Sequence, residues 1–236
     1  MVPSFDVLDR LSRALGLDEP TAGEVRELLA AVEAAVEDGP GSEEEDVSAG
    51  PLVDEAVRGA RLVRSFQCVV LPAMLQSAEY ARHVFLASPG LDAEAVGRAV
   101  AARVERQSLL YEPGRESVFV LTEAVLRTWP GTPSLMLAQL DRLLAVESLD
   151  TVRLGVIPWR RPVPVLPRHG FTLCDRRAVV VEGFPSERVS TEADDLAFHE
   201  EMFGRFEAAA VFGGEARDLL VQVMKEFREM TATVTR

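Results

Sequence analysis

The sequence predicts an α+β protein, mostly helical with a small antiparallel sheet. Three observations carry this. Apolar residues recur at helical spacing along most of the chain, four short β-rich runs cluster in its second half, and two long helical patterns close it. At 236 residues the chain suits one large domain or two small ones.

The elements follow in order. A first helix is expected from Phe5 to about Leu15, with Val7, Leu8, Leu11 and Leu15 on one face, Ser4 as its cap and Gly16 as its stop. A second runs from about Thr21 to Val36, with Val25, Leu28, Leu29, Val32 and Val36 as its stripe; Thr21 and Glu24 have capping-box spacing. "EDGPGSEEEDVSAG" then reads as a solvated acidic linker. The expected organisation is therefore residues 1–38, a linker at 39–50 and a body at 51–236.

Within the body, helical spacing of Val53, Ala56, Val57, Ala60 and Val63 predicts a helix from about Leu52 to Arg64. A turn at Pro72 precedes a helix from Ser77 to Leu86, and another helix ends at Pro113-Gly114. "SVFVL" is strand-like and becomes helical near Glu123. Leu135, Leu137, Leu140, Leu143 and Leu144 mark a core helix, and "TVRLGVIPW" is β-rich. "GFTLCDRRAVVVE" reads as a hairpin turning at Asp175–Arg177. Two helices, about Thr191–Phe212 and Glu215–Met230, finish the chain.

Charge and motif content exclude several functions. The formal net charge is −13, and residues 1–50 hold 13 Asp and Glu against 3 Arg, the opposite of a phosphate-binding face. No apolar run reaches the ~20 residues of a membrane span, and no signal peptide is visible. Cys68 and Cys174 are expected as reduced thiols, so a cytoplasmic location is expected. The sole lysine, Lys225, stands in no P-loop, and His83, His169 and His199 share no metal-ligand spacing. No metal and no cofactor are expected.

What remains is a set of polar residues in otherwise apolar segments: Tyr80, Arg106, Gln107, Glu123, Gln139 and Glu182. Each is either a paired structural group or, if several converge, the lining of a small-molecule pocket. Arg106 is a candidate ion-pair partner for Glu123 or Glu182. "IPWRRPVPVLPRHG" adds Trp159 and His169 on a loop stiffened by four prolines, placed between strands where binding residues concentrate. Catalytic residues are not identified.

Several motifs in order carry a family likeness. "ARLVRSFQCVVLPAMLQSAEYARHVF", "RVERQSLL", "VLTEAVLR", "LMLAQLDRLLAVESLDTVRLGVIPW" and "GFTLCDRRAVVVE" resemble the antitoxin-like C-terminal domain of unknown function found in actinomycete Xre-type helix-turn-helix regulators. The likeness covers roughly residues 52–225. Ala73-Met74, Ser77 and Val181 depart from the family's usual residues. The start, "VPSFDVLDRLSRALGLDEPTAGEVRELL", resembles the last helices of the family's DNA-binding domain, so that the recognition helix would lie before Met1.

The resemblance implies a transcription regulator whose effector domain senses a small molecule or holds a small partner protein. DNA binding is expected only if the missing N-terminal helices are supplied, and no membrane partner is expected. Two alternatives stay open. One is a stand-alone descendant that binds or transforms a small molecule in secondary metabolism, for example as a cyclase, with Glu123, Glu182 or His169 moving protons. The other is an interaction module whose Val25/Leu28/Val32 stripe docks a partner or forms a homodimer.

Overall fold

A computed structural model describes residues 5–37, 50–87, 90–163, 165–183 and 187–234. Contacts divide the chain into two compact units, Met1–Ser48 and Ala49–Arg236.

The first unit holds helices α1 (Phe5–Leu15) and α2 (Glu19–Glu37). α2 starts earlier than expected because Asp18, not Thr21, supplies the cap: its Oδ1 accepts from the Thr21 backbone at 3.0 Å. Only part of the expected apolar faces is buried. Leu29 is inside, while Leu11, Leu15 and Leu28 are exposed. Ser4, the side chains of Val32 and Val36, and residues 39–49 of the expected linker lie outside the described residues.

The second unit is α+β. It opens with α3 (Gly50–Gly59), then β1 (Leu62–Gln67), α4 (Ala78–Leu86) and α5 (Ala93–Arg106). β2 (Glu116–Thr122) runs directly into the short α6 (Glu123–Arg127), and α7 (Pro133–Glu147) leads to β3 (Val152–Ile157). The hairpin of β4 (Phe171–Cys174) and β5 (Ala178–Val181) is followed by β6 (Arg188–Ser190), α8 (Ala193–Ala209), β7 (Val211–Phe212) and α9 (Gly213–Val234).

Among the described residues, seven strands form one sheet in the order β6-β5-β4-β1-β2-β3-β7. Four of the six pairings are antiparallel; β1–β2 and β2–β3 are parallel. Two expectations are corrected here. The helix expected through Arg64 stops at Gly59, and its last stretch is instead β1, the middle strand of the sheet. The penultimate helix stops at Ala209, because Val211 and Phe212 pair with Val156 and Gly155 as an edge strand. Gly155 has no alternative there: a Cβ would sit 2.5 Å from the Phe212 ring.

Both sheet faces are covered. Val63, Phe119, Leu121, Val156 and Val180 face the larger core, built with α3, α4, α7 and α9. Phe66, Val120, Phe171 and Val179 face the smaller one, closed by Phe203 and Phe206 of α8. Burial on both faces explains why "SVFVL" is a continuous apolar run rather than an alternating one. Among the described residues, no helix is long and apolar enough to cross a membrane.

Candidate functional site

The β1–α4 connection is held by side chains from three helical segments. It turns through Leu71–Ser77, a stretch with one 3-10 turn at Ala73–Leu75, and side chains take up backbone groups that this turn leaves over. Gln76 Nε2 donates to Leu71 O at 2.7 Å. Gln107 Nε2 donates to Ala73 O and Gln76 O at 3.1 and 2.7 Å. Gln139, fully buried on α7, donates to Leu75 O at 2.9 Å while its Oε1 accepts from the Ser77 backbone at 2.6 Å. Arg142 donates to Leu75 O and to Gln107 Oε1. The Tyr80 hydroxyl meets the Leu71 backbone, and burial pushes its phenol up. Tyr80, Gln107 and Gln139 therefore sit in a structural framework whose polar atoms pair internally. Arg106 pairs with Asp54 of α3 at 2.6 Å, not with Glu123 or Glu182.

A different environment lies at one edge of the sheet. The parallel strands β1, β2 and β3 all end there, at Gln67, Thr122 and Ile157. In open sheets, the crevice outside the carboxyl ends of parallel strands is where ligands bind. Because β4 is antiparallel to β1, it starts at the same edge, and β5 ends there. Glu123, Trp159, His169 and Glu182 are thus brought to one edge from four separate stretches.

These four differ in what they do. Glu123 is fully engaged: Oε2 accepts from the Trp159 backbone at 2.9 Å and Oε1 from Arg127 at 2.8 Å. Arg127 also pairs with Glu226 and lies over the exposed Trp159 ring, 4.8 Å from its centroid. This cluster ties the ends of β2 and β3 to α9. His169 is exposed and its Nδ1 meets Gly170 O at 3.2 Å. Its ring lies 6.1 Å from that of His199, a buried residue of α8 whose Nδ1 donates to Asp195 O.

Glu182 is half-buried. Among the described residues it accepts one hydrogen bond, from Gln67 Nε2 at 2.5 Å. Burial pushes its carboxyl up to about 7; the nearby Glu187 acts in the same direction, while Gln67 and Arg103 oppose it. Gly170 makes room for this contact, since a Cβ there would lie 2.0 Å from Gln67 Oε1. Arg103 approaches from α5. Its Nη1 donates to Gln76 Oε1 at 2.8 Å and its guanidinium stacks 4.1 Å from the Phe85 centroid. Burial depresses its basicity, against the pull of Glu187 and Glu182. Among the described residues, no ion pair joins either Arg103 or Glu182 to an opposite charge within 4.0 Å.

Gln67 and Arg103 are the two members that sequence reasoning missed. Gln67 falls between the helix read to about Arg64 and the turn read at Pro72, in a stretch given no element. Read as a strand, the alternation Val63-Ser65-Gln67 places it on the face of the larger core. Arg103 carries no sequence signal, being one of several arginines on a helix.

The cysteines supply no nucleophile here. Burial pushes the Cys174 thiol up to about 12, and Cys68 is raised by burial and by Glu182. Among the described residues, no group of three or more His, Cys, Asp or Glu is placed to hold a metal ion. Two clefts are present elsewhere. One of about 610 Å³ lies along α1 at Val7, Arg10, Leu11, Arg13 and Ala14. The other, of about 350 Å³, separates α3 from the β4–β5 turn, with Leu52, Ala56, Cys174 and Val189 in its walls. Neither is lined by any of the eight candidate residues.

The family model for DUF5753, a domain of unknown function, matches residues 54–222. No curated protein matches the sequence.

Proposed function

We propose that this chain, which belongs to the DUF5753 family, is the effector part of an Xre-type transcriptional regulator. It senses a small molecule or a small partner protein at the carboxyl edge of its parallel strands. In this reading residues 1–38 are the tail of a helix-turn-helix domain, 39–50 a tether and 51–236 the sensing domain. The observation that carries it is the contrast in polar pairing: around Leu71–Ser77 buried polar groups pair with one another, whereas half-buried Glu182 and Arg103, among the described residues, hydrogen-bond only to neutral amides. Charged groups partly withdrawn from water without a paired counter-charge are a feature of functional sites. The ordered motifs over roughly residues 52–225 support the regulator assignment, and a net charge of −13 supports weak DNA binding by this chain alone.

One observation favours the alternative that the chain transforms a small molecule, as a cyclase would. A carboxyl titrating near 7 is suited to general acid–base work at neutral pH. A single experiment separates the two. The full chain and its Glu182→Gln variant are incubated with a metabolite extract and examined by native mass spectrometry. The sensing reading expects a compound retained by the wild type, lost by the variant and recovered unchanged. Recovery of a product of altered structure selects the enzyme. No retained compound overturns both small-molecule readings and leaves the partner protein. Tight, sequence-specific binding in a DNA mobility-shift assay would overturn the claim that this chain touches DNA weakly.

A further inference from the structure

We propose that His169 and His199 bind a zinc-type divalent metal ion between their Nε2 atoms, on the face of the sheet covered by α8. This goes beyond the sensing of a small molecule at Glu182 and stands or falls separately from it.

An orphaned atom points to the site. His199 is 4 % exposed, and its Nε2 is one of three buried side-chain atoms without a hydrogen-bond partner among the described residues. Such atoms are rare and call for a cause. The other two are Arg64 Nε and Ser117 Oγ. Arg64 is held through its Nη2, by Glu200 and the Asp175 carbonyl, and neither a guanidinium nor a serine hydroxyl is a usual ligand of a zinc-type ion. An imidazole nitrogen is. His199 Nδ1 donates to Asp195 O at 2.8 Å, which fixes the tautomer, because a carbonyl can only accept. In the neutral ring Nε2 is then a bare lone pair. The rings of Phe171 and Phe198 pack edge-on at 4.9 and 5.3 Å and offer it no N–H or O–H.

His169 has the same arrangement. Its Nδ1 also meets a backbone carbonyl, Gly170 O, at 3.2 Å, which leaves Nε2 as the acceptor. A carbonyl on the far nitrogen of each ring is the usual outer shell of a metal-binding histidine, where it orients the imidazole and raises its basicity. The ring centroids are 6.1 Å apart. With Zn–N bonds of about 2.0–2.1 Å, each centroid lies about 3.2 Å from the ion. Two imidazoles on one ion can then be up to about 6.4 Å apart, and are about 5.2 Å apart at a tetrahedral angle. The observed spacing needs a closure of roughly 1 Å to reach that angle. His199 is packed into the core under α8, whereas His169 is exposed on the stretch that enters β4 and is free to supply it. Two imidazoles fill half of a tetrahedral shell; the remaining positions go to water, so the ion is held exchangeably.

The test uses the full chain with its histidine rings labelled with the heavy nitrogen isotope. The chain has three histidines, so His83 is the internal control. Zinc chloride is added and followed by the ring-nitrogen signals and by calorimetry, with magnesium chloride as the hard-ion comparison. The expected result is saturable zinc binding, with the Nε2 signals of His169 and His199 moving together and that of His83 still. Magnesium should move none of them. His169→Ala, a change at an exposed position, should weaken zinc binding at least about tenfold. The wild-type ring signals decide the matter even if a variant fails to fold.

The proposal is overturned if zinc moves only one of the two rings, if His83 moves with them, or if binding survives His169→Ala at full strength. Zinc held by cysteines or carboxylates alone leaves all three rings still and overturns it as well. A metabolite retained through Glu182 is untouched by any of these outcomes.

Discussion

Gln76 stands between two polar assemblies that obey opposite rules. On one side, Gln107, Gln139 and Arg142 take up Ala73 O, Leu75 O, Gln76 O and the Ser77 amide with hydrogen bonds that begin and end inside the protein. On the other, Arg103 and Glu182 are half-buried and, among the described residues, hydrogen-bond only to neutral amides. The difference teaches that polar residues withdrawn from water fall into internally paired sets and sets without a paired counter-charge, which burial alone does not separate. A saturated network rigidifies what it surrounds, and here it fixes the amide that positions Arg103.

The comparison breaks most directly at Gln139. Replacing it with alanine leaves Leu75 O with only Arg142 and the Ser77 amide with no side-chain acceptor, and empties a fully buried site. A loss of about 3–4 kcal/mol is expected in urea unfolding. A loss below about 1 kcal/mol would mean that the framework is not what holds the loop.

Glu182→Gln should act in the opposite direction. With its folded-state carboxyl raised to about 7, the native protein holds a proton that the unfolded chain gives up near the ordinary value of 4.5. The group's stabilising protonated state is therefore fully present below about pH 4.5 and is lost as pH rises to about 7. Wild-type stability should fall across that window, by up to about 3 kcal/mol, and the variant should lack this decline and be the more stable protein above pH 7. Thermal unfolding from pH 5 to pH 8 reads the effect; parallel curves would show that Glu182 is not buried unpaired.

The smallest expected effect sharpens the comparison. Gly170→Ala pushes Gln67 from its place, at a cost of about 1–2 kcal/mol. Losing the amide donor should also drive the Glu182 carboxyl higher still, as a carboxyl-region titration by NMR would follow. An unchanged titration would mean that Gln67 does not tune Glu182.

The strands β2, β3, β4 and β5 and most helices were legible, because an apolar run bounded by turn residues or a sustained 3.6-residue period has few other solutions. β1 was not. "RLVRSF" satisfies the helical spacing as well as the strand alternation, and Gly59, which ends α3, was the available stop signal. β7 has two residues and exists only because β3 offers an edge beside it. At the site, Glu182 stood out as a charge closing "AVVVE", and Glu123 as a charge opening a helix after a buried strand. Trp159 and His169 were legible only as members of a proline-stiffened loop.

By itself, then, the sequence determined the α+β class, the order of most elements and the polar residues that had to be accounted for, since these depend on short-range periodicity. The tertiary structure alone decided which of those residues are paired. Gln67, Arg103 and Glu182 are separated by long stretches of chain, and hydrogen bonding and ion pairing fall off over a few ångströms. The parallel pairing of β1 with β2, and the antiparallel β4–β5 hairpin beside it, bring Gln67 and Glu182 together at one edge. The amides of Gln67 and Gln76 then meet Glu182 and Arg103 respectively.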